Sequence, residues 1–382
     1  MKARGRTGGN AKDAVSNLDS NVTHWILPAM LADLTGQLEQ GTALTAEQIA
    51  VAIRELVAET VTAETKAGFL TALAHKGETV EEIAAFALEL RQLSVTPEID
   101  EATRHAEILD VCGTGGDRLN TFNISTTVAI LAAAAGVTVA KHGNRAITSQ
   151  SGSADVLEAL GIRTDLGAAE AARMLREHQF AFFFAPNFHP AFKHLAPARK
   201  LCAARGQRTI FNFLGPLLNP ARPSAQLVGV PRPELCEPMA RVLQAIGVRR
   251  GLVVCGNVSS KVGEEPAWLD EFSALGENQI AEFYQDRGFH VSRFRPDSFP
   301  VQRGTLTDLV GGNREENAEI LRRILRGAER GPKRDAVLLN SAAALFVAGR
   351  VKSFVEGWDL AEQTIASGQA TAKLEALAAG LR

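Results

Sequence analysis

The sequence predicts an α/β protein in two parts: a small all-helical N-terminal lobe, and a larger α/β lobe with a mainly parallel sheet flanked by helices. Three observations predict it. From Trp25 to about Leu93, apolar residues recur at helical spacing with no strand-like run between them. Beyond residue 105, short β-branched or aromatic runs alternate with helical patterns, the order that builds a parallel sheet covered on both faces. The stretch Asp110 to Asp155 reads as strand, glycine loop and helix N-terminus. With 382 residues, 46% of them hydrophobic, the chain can bury a large core and is long enough for two lobes.

In chain order, residues 1–22 are rich in Lys, Arg, Gly, Asn and Asp and are expected to be a disordered tail. No apolar run follows this basic start, and no stretch is long and apolar enough to span a membrane, so the cytoplasm is the expected location and no membrane partner is expected. Residues 23–100 make the helical lobe. Its periodic sets are Leu31, Leu34 and Leu38; Ile49, Ile53, Leu56 and Val57; Phe69, Leu70 and Leu73; and Ile83, Phe86, Ala87 and Leu90. Thr45 with Gln48, and Thr79 with Glu82, carry capping-box spacing. Nothing in this lobe carries obvious chemistry, and its apolar faces leave room for a second subunit. Pro97 and the charged run Glu98 to Arg104 read as a linker into the α/β lobe, residues 105–382.

That lobe opens with an apolar strand at Ile108 to Cys112, a tight Gly113–Gly116 turn, and an alanine-rich helix opened by Ser125 and stopped by Gly136. Backbone N–H groups of such a loop, with the positive end of the helix dipole, favour a phosphate. Capping by Ser125 or Thr126 accounts for one of three polar side chains at the helix mouth, Asn123, Ser125 and Thr126. A second strand, Val137 to Ala140, delivers Lys141, His142, Asn144 and Arg145 through a Gly143 turn, and a serine-rich loop follows. Neighbouring strand ends of an α/β sheet face one crevice, where such sheets bind ligands. Further strands are predicted at Phe180 to Phe184, Ala225 to Val230, Gly251 to Cys255 and Gln279 to Phe283. Helices are predicted at Ala168 to His178, Glu234 to Ile246, Arg314 to Leu325, Ala336 to Ala348 and Trp358 to Leu377.

Composition narrows the function. The formal net charge of −2 argues against a general nucleic-acid binder. The four cysteines, Cys112, Cys202, Cys236 and Cys255, lack metal-ligand spacing and read as thiols in a reducing compartment. Adjacent carboxylates such as Asp270 and Glu271 are most often a solvated turn, but a diphosphate substrate needs Mg²⁺ ligands, and this pair is the best candidate.

Gly113-Thr-Gly-Gly-Asp117, Asn123-Ile-Ser-Thr126, Lys141-His-Gly-Asn-Arg145 and Ser151-Gly-Ser-Ala-Asp155, in this order, resemble the anthranilate phosphoribosyltransferase family. The likeness continues through His189-Pro190, Arg199, Arg208-Thr-Ile-Phe-Asn212, Leu214-Gly-Pro-Leu217, Asn219-Pro220 and Leu269-Asp-Glu271. The resemblance implies transfer of a phosphoribosyl group from 5-phosphoribosyl 1-diphosphate (PRPP) to the amine of anthranilate, with two Mg²⁺ ions, in a homodimer built through the helical lobe. It implies a PRPP site of Gly113, Gly116, Asp117, Thr121, Asn123, Ile124, Ser125, Thr126, Lys141, His142, Gly143, Asn144, Ser149 and Ser153. It also implies an anthranilate site of Gly113, His142, Asn144 and Arg199, and metal ligands Ser125, Asp270 and Glu271. Residues 190–206 are implied to rejoin the helical lobe. One stretch departs from the family: Lys200 to Gln207 is a few residues longer, which makes Arg205 an alternative to Arg199 as the carboxylate partner. Two other readings of such a fold are a pyrimidine nucleoside phosphorylase and a non-enzymatic nucleic-acid-binding relative. The Asn-Ile-Ser-Thr and Lys-His-Gly-Asn-Arg motifs and the Asp270–Glu271 pair speak against the first, and the balanced charge with Asn144, Arg199, Asp270 and Glu271 all present against the second.

Overall fold

A computed structural model describes residues 23–146, 150–258, 267–285 and 288–381. The tail 1–22 and Ser149 lie outside them. Four helices come first: α1 (Thr23–Glu39), α2 (Ala46–Val57), α3 (Ala63–Lys76) and α4 (Val80–Gln92). Both capping boxes form: Thr45 and Gln48 exchange bonds at the start of α2, as do Thr79 and Glu82 at the start of α4. Leu31, Ile53, Phe69, Leu70 and Phe86 fill the space between these helices. The charged run after Pro97 folds as a short helix, α5 (Glu101–His105), because Asp100 caps it by accepting from Thr103 N at 2.9 Å.

Among the described residues eight strands follow: β1 (Ile108–Gly113), β2 (Thr138–Gly143), β3 (Phe180–Phe184), β4 (Ala225–Gly229), β5 (Arg250–Asn257), β6 (Trp268–Leu269), β7 (Asn278–Tyr284) and β8 (Gly288–Phe294). They lie in the order β3-β2-β1-β4-β5-β7-β8, with β6 paired to β5. The first five are mutually parallel, and β6, β7 and β8 join antiparallel. From β1 the chain winds outward to β2 and β3, then returns to β4 on the other side. The C-terminal ends of β1, β2 and β4 therefore surround a switch point of the winding, where open α/β sheets hold ligands.

Helices α6 (Ile124–Ala134), α7 (Ser153–Ala159), α8 (Ala168–His178) and α9 (Ala185–Phe188), and after the bundle-packed α10 (Ala196–Ala204) also α11 (Cys236–Ala245), α12 (Arg314–Leu325), α13 (Pro332–Val347), α14 (Phe354–Ala366) and α15 (Gln369–Ala379), build the layers around the sheet. The alanines of α6 let it lie close against α13 beneath the sheet. The single closing helix expected over Trp358 to Leu377 is two helices, broken at Gly368, whose φ of 82° ends α14. A second core joins the helical bundle to the α11 side of the sheet through Leu243, Val228 and Val253. Helix α10 packs on α3, and the buried Lys66 Nζ donates to His194 O at 3.0 Å and to Ala58 O at 2.7 Å.

Candidate active site

At the end of β1 the backbone has no room for side chains. A Cβ on Gly113 would stand 2.2 Å from Asp270 Oδ2, and one on Gly229, at the end of β4, 1.5 Å from Asp270 O. Gly115 and Gly116 turn the chain with φ of 77° and 94°. The loop is tied at two points: Thr114 N donates to Gly229 O and Gly115 N to Asp270 Oδ2, at 2.9 and 2.7 Å. Asp117 shapes the exit, its Oδ1 accepting from Leu119 N at 3.1 Å, and Thr121 then bridges to Val310.

Helix α6 begins one residue earlier than expected, at Ile124, and neither Ser125 nor Thr126 caps it. Asn123 holds the cap position but turns its side chain to other work: Nδ2 donates to Ser151 O and Oδ1 accepts from Asn317 Nδ2, at 3.1 and 2.9 Å. Ile124 and Thr126 bury their side chains, so what they can offer a ligand is backbone. Half-buried Ser125 faces the acidic pair, its N–H donating to Glu271 Oε1 at 3.2 Å. Behind it stands Lys141, 1% exposed, with Nζ donating to Val111 O at 2.7 Å and lying 3.4 Å from Ser125 Oγ. Lys141 thus lends its charge through Ser125, from behind.

Burial drives the electrostatics of Asp270 and Glu271. It lifts Glu271 to about 7, opposed by Lys141 and the Ser125 N–H. Asp270 is raised well above the ordinary range, by burial first and then by the charges of Asp117 and Glu271. Carboxylates held together at such cost call for a cation. No three His, Cys, Asp or Glu side chains among the described residues converge into a metal cage. Mg²⁺ does not need one, since it takes one or two carboxylates and completes its shell with water and phosphate oxygens. The donor set fits a metal that arrives with a phosphate ligand.

The end of β2 supplies the other wall. His142 Nδ1 lies 3.2 Å from Gly215 O, which makes Nδ1 the donor and leaves the buried Nε2 without a protein partner among the described residues. Burial, with His189 next, lowers its pKa to about 3, so the ring is neutral. Beneath it Asp110 accepts from Asn219 Nδ2 at 2.9 Å and from His142 N at 3.4 Å, and burial lifts its carboxyl to about 6. Gly143 admits Ser153, whose Oγ donates to Asn144 O at 3.3 Å. Asn144 is exposed, its Oδ1 accepting from Arg145 N at 2.8 Å.

A row of rings runs from His142 towards α10. His142 and His189 lie 5.3 Å apart, His189 and Phe192 5.1 Å, Phe192 and Phe211 5.8 Å, and the Arg199 guanidinium stands 5.2 Å over Phe211. Arg199 therefore joins the His142 side. Arg205 does not: it lines a separate cavity of about 610 Å³ with Leu38, His75 and Lys76. After Arg199 the chain completes the last turn of α10 and turns at Gly206, with φ of 68°. Sequence reasoning passed over His189, Phe192 and Phe211 as ring partners. The His189-Pro190 pair was the signal, but contacts to Phe211 carry no local periodicity. Arg208 was also unassigned, and its Nη2 would lie 3.5 Å from a Cβ on Gly116, beside the loop.

Known proteins resemble this chain in sequence and in fold. Residues 105–371 match the family model described as the a/b domain of a glycosyl transferase family, and residues 32–94 its helical bundle domain. The chain is 44% identical over 336 residues to anthranilate phosphoribosyltransferase of Petrotoga mobilis, covering 88% of this chain and 92% of that one. A crystal structure of anthranilate phosphoribosyltransferase from Thermus thermophilus superposes with a TM-score of 0.80 at 41% identity, over 91% of this chain and 98% of the other. The enzyme from Saccharomyces cerevisiae in complex with PRPP and Mg superposes with a TM-score of 0.80 at 27% identity, over 91% and 96%. Among the described residues no helix is long and apolar enough to cross a membrane.

Proposed function

Because the chain belongs to the anthranilate phosphoribosyltransferases, a branch of the glycosyl transferase family, we propose that it moves the phosphoribosyl group of PRPP onto the anthranilate amine, releasing diphosphate. One observation carries this reading: two charge-frustrated carboxylates, the half-buried Asp270 and the buried Glu271, bonded to the N–H groups of the glycine loop and of the α6 N-terminus. The diphosphate lies over Gly113–Gly116 and the first turn of α6, with Arg208 and Lys141 adding positive charge and Ser153 on the β2 side. Asp117, acidic within a phosphate site, faces ribose hydroxyls or metal-bound water. Ser125, Asp270 and Glu271 would hold two Mg²⁺ ions, which when bound would neutralise the charge of the leaving diphosphate.

Bond breaking makes the ribose C1 cation-like, so the residues contribute position and charge more than proton abstraction. Neutral His142 fits that division. A ring with a pKa near 3 is a poor base at neutral pH, but its free Nε2 can accept one N–H of the amine and aim the nitrogen at C1. Arg199 and Asn144 hold the anthranilate carboxylate, with the ring row flanking the aromatic ring. The row shields the reactive sugar from water.

The same reading divides the chain at about residue 100, with 190–206 counted to the helical lobe, and makes it a cytoplasmic homodimer through that lobe. Light scattering checks the last point against the 40.8 kDa chain mass. The activity is tested by product identity. Incubation with PRPP, anthranilate and Mg²⁺ is expected to give N-(5-phosphoribosyl)anthranilate and diphosphate in equal amounts. Cleavage of a pyrimidine nucleoside by inorganic phosphate instead would transfer the chain to the phosphorylase reading.

A further inference from the structure

We propose that Asn340, in the middle of α13, is a positioning residue that sets the Asp270–Glu271 pair for its metal–diphosphate ligand, an inference that rests on the function proposed above. Asparagine is a weak helix former, and a buried amide is costly unless bonded. Asn340 is 0% exposed and is bonded at both ends. Its Oδ1 accepts from Phe272 N at 2.9 Å, and its Nδ2 donates to Phe272 O and to Ala336 O, both at 2.8 Å. The side chain thereby acts as one rung of a sheet, clamping the backbone of the residue that follows Glu271.

The opposite side of the same segment is gripped by glycines. Besides the contacts at Gly113 and Gly229, a Cβ on Gly256 would stand 2.7 Å from Glu271 O. The Phe272 ring is wedged edge-on against Phe294 and Phe354, each at 5.7 Å. Residues 270–272 thus sit between three strand ends that allow no side chain and one helix side chain that fixes the peptide. Such a grip has a reason: the two carboxylates repel, and without a clamp the chain relaxes by turning Glu271 away from Ser125. The partners lie 68 residues apart in sequence, which hides the pairing from any local pattern.

The test is calorimetric binding of inorganic diphosphate with Mg²⁺, which requires neither acceptor nor turnover. It compares the unmodified chain with Asn340→Ala, with the near-isosteric Asn340→Asp, and with Leu338→Ala, a buried apolar change in the same helix whose side chain can make no hydrogen bond to residues 270–272. Both Asn340 variants are expected to weaken Mg-diphosphate binding by about tenfold or more, as loss of an outer partner does at metal sites. Leu338→Ala should lower the melting temperature while keeping affinity within about twofold. If Asn340→Ala does not fold, Asn340→Asp carries the comparison alone, since it keeps the acceptor and loses the donor. Equal affinities in the Asn340 variants and the unmodified chain would overturn the clamp and leave the site reading intact. Failure of the unmodified chain to bind Mg-diphosphate would overturn both.

Discussion

His142 is the residue whose protonation is easiest to follow. The folded chain keeps its ring neutral down to about pH 3, whereas in the unfolded chain it protonates near 6.5. Below pH 6.5 the unfolded state therefore binds the extra proton, and stability falls as the pH drops towards 3. Urea midpoints measured from pH 7 to 4 are expected to decline more steeply for the unmodified chain than for His142→Asn. Parallel declines would contradict the buried neutral ring. Arg199 permits a kinetic test at the same scale. Losing a charge-assisted bond of about 1.5–3 kcal/mol, Arg199→Ala should raise the anthranilate KM by roughly 10- to 100-fold and leave the PRPP KM unchanged. Arg205→Ala, on the far cavity, should change neither. The placement of part of the site was legible at this scale, because Gly113 and His142 stand in short motifs at strand ends and Ser125 in one at a helix start. The ring row was not, since His189, Phe192 and Phe211 meet through tertiary packing. Nor was the duty of Asn123, whose side chain serves Asn317 and Ser151 rather than standing free.

At the scale of elements, the crowded glycine contacts decide what the strand ends can do. Gly113→Ala places a methyl 2.2 Å from Asp270 Oδ2, so strand or acidic segment must move. A stability loss of about 1–3 kcal/mol is expected in denaturant titration, with a larger fall in kcat/KM for PRPP than for anthranilate. Unchanged kinetics would show that Asp270 has no part in the loop. The central strands were readable because a buried parallel strand is a plain apolar run, as in Phe180–Phe184. Strand β8 was not: at the sheet edge its sequence, Gly-Phe-His-Val-Ser-Arg-Phe, buries no residue fully and lacks such a run. Helix α6 was read one residue late because its first side chain, Ile124, points into the core and gives no polar signal.

Across the whole molecule, the helical bundle and the α/β part meet at the acceptor side. Lys66 of α3 ties the segment after β3 to the bundle, since its buried ammonium binds two carbonyls and no carboxylate among the described residues, and one of them, His194 O, closes the turn that bears His189 and Phe192. Lys66→Met removes both bonds and leaves the carbonyls unpaired, and is expected to cost about 1–3 kcal/mol in urea denaturation. A higher anthranilate KM should accompany it; a stability loss with all kinetic constants unchanged would mean the two parts are joined without being coupled. The central claim concerns the molecule as a whole: one half of the crevice presents a metal-bound diphosphate and the other an aromatic amine. The most direct measurement is the loss of anthranilate fluorescence on mixing with PRPP, with Mg²⁺ or with chelator. The account predicts loss only when both PRPP and Mg²⁺ are present. Equal loss in chelator, or none with PRPP and Mg²⁺ together, would contradict it.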